Sequence, residues 1–147
     1  MSRIRKFIAL APADRHLLVE SVFLMAAVKA ALSLLSFRRV LRLASRLSRR
    51  PAGPGPGDGD VAGRVAWSTA VARAYVPGVA TCLATSLTAM VLLARRGCPA
   101  ELRIGVDRTG EGPFLAHAWV ESRGEVVVEG EELHRYVPFP DLKWESS

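Results

Sequence analysis

The sequence is poor in the residues that build metal centres and disulfide frameworks. It contains two cysteines, Cys82 and Cys98, and three histidines, His16, His117 and His134. Their wide separation gives no zinc-binding spacing, and two cysteines are too few to staple a small domain. We therefore expect no metal or other cofactor. No apolar segment with a cleavage site opens the chain, so the reducing cytoplasm is the expected compartment.

Two nucleotide-related functions also lack support in the sequence. No glycine-rich loop connects a strand to a helix, because the Gly/Pro-rich stretch 51–60 follows an arginine-rich segment instead. That segment, 37–50, has no interleaved aromatic residues on which bases could stack, so we expect no nucleic-acid partner. Steps of three and four residues place most of its arginines on one helical face, which predicts a surface in contact with solvent.

The positive charge of the chain is confined to its first third. Residues 1–50 carry 11 Lys/Arg against two acids, a net charge of +9, whereas residues 51–147 carry 9 Lys/Arg against 12 acids, a net charge of −3. A basic N-terminal region suits an acidic partner or a membrane surface.

The first 60 residues predict a helical region followed by a connector. Residues 14–36 form a very apolar helical pattern, but Glu20 and Lys29 leave no uncharged run of about 18 residues, so a membrane-spanning helix is disfavoured. A buried or interface helix is favoured, with a membrane-surface helix as the alternative. The stretch PAGPGPGDGD, 51–60, predicts a flexible linker between an N-terminal helical region, 1–50, and a core, 61–147.

The core predicts helices followed by strands. A short helix is expected over 61–75, and an amphipathic helix follows, with Thr81 as its N-cap and Gly97 at its end. Alternating apolar residues predict strands over 101–106, 114–121 and 125–129, the last two joined by a tight turn at 122–124. One helix packed on three antiparallel strands predicts an α+β fold in a single domain.

One cysteine and one histidine form a candidate catalytic pair. Cys82 falls in the first turn of the predicted helix, where free backbone N–H groups and the macrodipole favour a thiolate and can bind an oxyanion. His117 on the second strand would be the base, and Glu129, at the end of the returning strand, would orient the imidazole. Glu131 and Glu132 are alternatives to Glu129 for this third role.

Each of these residues also has a purely structural interpretation. A cysteine near a helix end is usually a small buried hydrophobe, a single strand histidine is more often structural, and the acids fit a solvated loop. Cys98, beyond the helix end, is expected to be structural, and His16 and His134 lack catalytic spacing. Trp119, on the same strand face as His117, either shields the site or belongs to the core.

The sequence resembles the leader peptidase of lasso-peptide biosynthesis, in particular the protease half of the split bacterial B protein. The similarity covers nearly the whole chain apart from the linker, and three of its stretches are TCLATSLTAMVLLARRGCPAELRIGV, FLAHAWVE and VVVEGEE. It implies a transglutaminase-like, papain-related fold with Cys82 as nucleophile and His117 as general base. Glu129 stands where the family commonly has aspartate, so a backbone or amide group is an alternative partner for His117.

The resemblance implies a cysteine endopeptidase that removes the leader from a ribosomally made lasso-peptide precursor. The implied partners are that precursor peptide, a small leader-recognition protein and an ATP-dependent lasso cyclase. The N-terminal helices would contact one of these partners or a membrane. Two alternatives remain, namely a transglutaminase-type acyltransferase on the same triad and a non-catalytic adaptor of the biosynthetic complex.

Overall fold

A computed structural model describes residues 2–49, 61–76, 81–107, 116–128 and 136–145. The predicted linker, 51–60, lies outside these ranges. Within them the order of elements is five helices and then four strands, which confirms the α+β prediction. Their bounds are α1 Arg3–Ala9, α2 Pro12–Leu34, α3 Phe37–Ser48, α4 Val61–Tyr75, α5 Thr81–Arg95, β1 Glu101–Asp107, β2 Ala116–Ser122, β3 Glu125–Val128 and β4 Tyr136–Glu145.

The strands form one antiparallel sheet in the order β3-β2-β1-β4. The sequence predicted three strands, and β4 is a fourth that pairs with β1. Its prolines, Pro138 and Pro140, argue against a strand because each lacks a backbone N–H. An edge strand tolerates this loss, and the pairing with β1 shifts in register between Arg103 and Gly105.

Helix α5 is the centre of the molecule. The sequence predicted one apolar stripe, but every residue from Ala84 to Leu93 is buried. Helices α2, α3 and α4 and strands β1, β2 and β3 all pack against it. A helix covered on all sides must satisfy its polar groups internally. Accordingly, the Thr88 hydroxyl donates to the Ala84 carbonyl at 2.7 Å, and the Ser86 hydroxyl donates to strand β2.

The helices on the N-terminal side of the predicted linker share a core with the rest of the chain. Leu17 of α2 and Val40 of α3 belong to the same buried cluster as Leu87 of α5 and Val120 of β2. The described parts of 1–50 and 61–147 are therefore joined by packing, although the sequence separates them by composition.

Helix α2 is long and apolar enough to cross a membrane. In the fold, however, three of its charged residues, Asp14, Glu20 and Lys29, contact neighbouring elements. Asp14 accepts from the Arg64 guanidinium of α4, and the Lys29 ammonium donates to the Val76 carbonyl. Such contacts are typical of a helix packed in a folded domain. A core helix of this kind can be as long and as apolar as a helix that spans a membrane.

Glu20 connects α2 to the C-terminal end of α5. Its two carboxylate oxygens accept from Arg95 Nη1 at 2.7 Å and Arg96 Nη2 at 2.8 Å, and His16 Nδ1 lies 3.9 Å from Oε2. The Arg96 side chain is only 7% exposed. Because a buried guanidinium without its carboxylate is costly, this cluster fixes the end of α5 against α2.

We expect Glu20→Ala to lower the free energy of unfolding by about 2–3 kcal/mol, because Arg96 would stay buried without a counter-charge. Urea unfolding followed by circular dichroism measures this value. Arg46→Ala is the control, since Arg46 is exposed on α3, and it should change stability by less than about 0.5 kcal/mol. Equal effects of the two substitutions would show that the Glu20 cluster does not stabilise the fold.

Candidate active site

Cys82 lies in the first turn of α5, as the sequence predicted. The sequence predicted Thr81 as the N-cap, but Thr81 is already the first residue of the helix. Cys82 is therefore its second residue. The thiol is free and the residue is partly buried. The backbone N–H groups of a first turn have no partner within the helix and carry partial positive charge, which suits an attacking thiolate or an oxyanion.

Cys98 lies beyond the other end of the same helix. Its N–H donates to the Leu93 carbonyl at 2.9 Å, while the N–H of Gly97 donates to Ala94 at 3.1 Å. With φ of +76° at Gly97, this is a Schellman C-cap, in which glycine adopts the left-handed conformation at no steric cost. A 15-residue helix is about 22 Å long, so Cys98 is far from the first turn and its contacts are structural.

His117 is the second residue of β2 and is partly buried. It pairs across the sheet with Gly105 of β1. Because glycine has no side chain, this cross-strand neighbour places no side-chain atoms beside the imidazole.

Trp119 packs next to His117 on the same face of β2. Their rings are stacked, with centroids 6.3 Å apart and planes at 20°. Trp119 is buried, and its Nε1 donates to Glu121 Oε1 at 3.0 Å. The other carboxylate oxygen of Glu121 lies 3.5 Å from Arg103 Nη1 of β1. The imidazole is thus stacked against an indole that is hydrogen-bonded to Glu121, and Glu121 in turn forms an ion pair with Arg103.

Helix α5 is joined to β2 beside His117. The Ser86 hydroxyl donates to the Ala118 carbonyl at 3.1 Å. Ser86 follows Cys82 by four residues and so lies on the same helical face, and Ala118 is the residue after His117. This bond brings together the two segments that carry the cysteine and the histidine.

The third predicted residue, Glu129, lies outside the described residues, as do Glu131 and Glu132. The strand that leads to it is described. Arg123 and Gly124, with φ of 53° and 82°, form the predicted tight turn between β2 and β3. Because Val128 pairs with Val120, β3 runs toward the end of β2 that carries His117. The assignment of Glu129 stays a prediction.

Sequence reasoning missed Ser86, Glu121 and Arg103. The local signal for Ser86 is a hydroxyl one turn after Cys82, in a helix that also carries the hydroxyls of Thr85 and Thr88. Glu121 shares the period-two face of His117, but its partner Arg103 comes from another strand. Among the described residues, no group of three or more His, Cys, Asp or Glu is placed to hold a metal ion.

The match to known proteins comes from a family model. Residues 24–140 match the model of the transglutaminase-like superfamily, from within α2 to within β4. The chain belongs to this superfamily. No curated protein and no solved structure matches the chain significantly. Transglutaminase-like proteins are generally catalytic and are typically cysteine proteases or acyltransferases. A first-turn cysteine on a helix that is hydrogen-bonded to the strand of a histidine is consistent with both reactions.

We expect Trp119→Phe in this transglutaminase-like chain to lower the free energy of unfolding by about 1–3 kcal/mol. The substitution removes the indole N–H that Glu121 accepts and leaves space in the buried site. Trp67→Phe is the matched control, because Trp67 is 37% exposed on α4 and should tolerate the change within about 0.5 kcal/mol. Urea titration of both variants provides the comparison, and a smaller loss for Trp119→Phe than for the control would contradict the contact.

Proposed function

We propose that this protein is a cysteine endopeptidase that removes the leader peptide from a ribosomally synthesised lasso-peptide precursor. The observation that carries the proposal is Cys82 in the first turn of a buried central helix, joined through Ser86 to the strand of His117. Membership of the transglutaminase-like superfamily supports covalent catalysis by cysteine. The lasso-peptide substrate comes from the sequence resemblance.

The proposed reaction begins with proton transfer from the Cys82 thiol to His117. The thiolate sulfur then attacks the carbonyl carbon at the leader–core junction, and the carbonyl oxygen becomes an oxyanion. Backbone N–H groups at the start of α5 would bind this oxyanion. When the C–N bond breaks, His117 returns its proton to the amine of the core peptide, and the leader remains as a thioester on Cys82. Water hydrolyses the thioester and frees the leader as a carboxylic acid.

The imidazole has to stay oriented through both proton transfers. The stacked ring of Trp119 would limit its rotation. We propose Glu129 as the group that accepts from the second ring nitrogen and stabilises the imidazolium. Glutamate is one methylene longer than the aspartate common in the resembled family, and a backbone or amide acceptor is the alternative.

The proposed partners follow from this role. They are the precursor peptide, a small leader-recognition protein and the lasso cyclase that closes the freed core. Both cysteines are free, which agrees with a reducing cytoplasm as the proposed compartment. The solvent-facing arginines of α3 carry no interleaved aromatic residues, so nucleic acid is not a proposed partner.

The second candidate function is acyl transfer, because the superfamily contains acyltransferases that share this chemistry. In that reaction an amine, instead of water, would resolve the Cys82 thioester. The protein would then join the leader to an amine and would not release it as an acid. A non-catalytic adaptor is the third candidate, and in that role Cys82 would have no reaction to perform.

We expect Cys82→Ala to reduce leader release by at least about a thousandfold, since no other group can form the thioester. Mass spectrometry of the precursor incubated with the protein and the leader-recognition protein measures the release. Cys98→Ala is the matched control and should keep activity within about twofold, because its contacts are at the far end of α5.

The masses of the products separate the three candidate functions. A leader ending in a free carboxylic acid supports the peptidase. A leader linked to an amine, with no free acid, would identify an acyltransferase. Leader release that is unchanged in Cys82→Ala would identify an adaptor working beside another protease.

A further inference from the structure

Helices α1, α2 and α4 enclose an apolar groove of about 610 Å³ on the outside of the molecule. Its lining includes large apolar side chains that are each at least 37% exposed. We call this surface the N-terminal apolar face. It is formed by Ile4, Phe7, Val19, Phe23, Trp67 and Tyr75.

Helix α2 carries apolar side chains on two sides, and only one of these sides is exposed and belongs to the face. The opposite side of the helix buries Leu17, Met25 and Val28 in the fold, whereas Phe23 is 72% exposed. Exposed apolar patches of this kind mark a surface that a partner molecule or a membrane covers. Because α2 packs on α4 and α5 with one side, its exposed side is free to lie along such a surface.

The charge around the face is positive. Arg3 and Lys6 line the groove, and no Asp or Glu is among its described lining residues. Arg3 lies with its Cζ 5.9 Å from the centre of the Tyr75 ring, so a cation sits directly at the apolar rim. The nearby acids Asp14 and Glu20 already pair with arginines of α4 and α5. Among the described residues, no acid is therefore left to neutralise the positive charge at the rim.

We propose that the N-terminal apolar face docks on an anionic membrane surface. Ile4 and Phe23, each more than 70% exposed, would enter the acyl layer, while Arg3 and Lys6 meet the lipid head groups. Trp67 and Tyr75 are residue types that favour the boundary between head groups and acyl chains. The proposal is independent of the catalytic assignment, since none of its residues belongs to the candidate active site.

The lining of the groove favours a bilayer over a peptide. A groove that recognises one peptide places a few fixed polar groups to set the register of its ligand. Here the charged lining consists of two long, flexible cations on a seven-residue helix, Arg3 and Lys6. Diffuse positive charge beside protruding apolar side chains suits many lipid molecules at once.

Co-sedimentation of the full chain with lipid vesicles tests the proposal. The protein should bind vesicles of phosphatidylcholine with phosphatidylglycerol, much less those of phosphatidylcholine alone, and more weakly as salt rises. Phe23→Glu combined with Ile4→Glu should weaken binding at least about tenfold, because each places a charge in the acyl layer. Removing Arg3 or Lys6 should weaken it about fivefold per cation.

Val126→Glu is the matched control, because Val126 is 43% exposed on β3, outside this face. It should bind vesicles like the unchanged protein, and circular dichroism confirms that all variants are folded. Failure to bind anionic vesicles, or equal losses in Val126→Glu and Phe23→Glu, would overturn the proposal. A dimer in vesicle-free sedimentation that Phe23→Glu dissolves would also overturn it and assign the face to a second copy. Cys82→Ala should not change vesicle binding, so this test is separate from that of the peptidase.

Discussion

The complete burial of α5 is the constraint on which the rest of the structure depends. Ten consecutive residues from Ala84 to Leu93 are at most 2% exposed, so three helices and three strands must pack around one axis. Because buried side chains are closely packed, the helix cannot rotate without clashes, and each buried hydroxyl needs a hydrogen-bond partner. The first turn is where this enclosure ends, and Cys82 is partly exposed there. A helix held rigidly along its length therefore presents one nucleophilic side chain at its open end.

The two ends of α5 are fixed by different interactions. Near its start, the Ser86 hydroxyl bonds the carbonyl beside His117, and at its end, Gly97 closes the backbone while Glu20 binds two arginines. A catalytic pair needs its members held to within a fraction of an ångström, which side chains on loops rarely achieve. Here the cysteine is on a central helix and the histidine on an inner strand of the sheet. This scaffold would suit the proposed covalent chemistry, in which access of water or of an amine to the thioester would decide between hydrolysis and acyl transfer.

The charged residues of the N-terminal region fall into two groups, one paired inside the fold and one exposed on the surface. The two acids of the N-terminal region pair with arginines of α4 and α5, whereas most of the described cations of this region are exposed. The same helices that complete the core around α5 also carry the groove lined by α1, α2 and α4. The groove and the candidate site use different elements, since Cys82 is on α5 and His117 on β2, so docking at the groove would leave the site undisturbed.

Local rules determined much of this protein from its sequence. The first turn that holds Cys82, the glycine that ends α5 and the hairpin at Arg123–Gly124 depend on residues a few positions apart. Tertiary structure decided the contacts that cross the chain: Ser86 with Ala118, 32 residues away, and Arg103 with Glu121 through the register of β1 and β2. It also decided β4, whose prolines argue against a strand locally and are tolerated at an edge. The physical reason is that capping and turn energies are set by neighbours in sequence, whereas register and burial are set by the partner against which a segment packs.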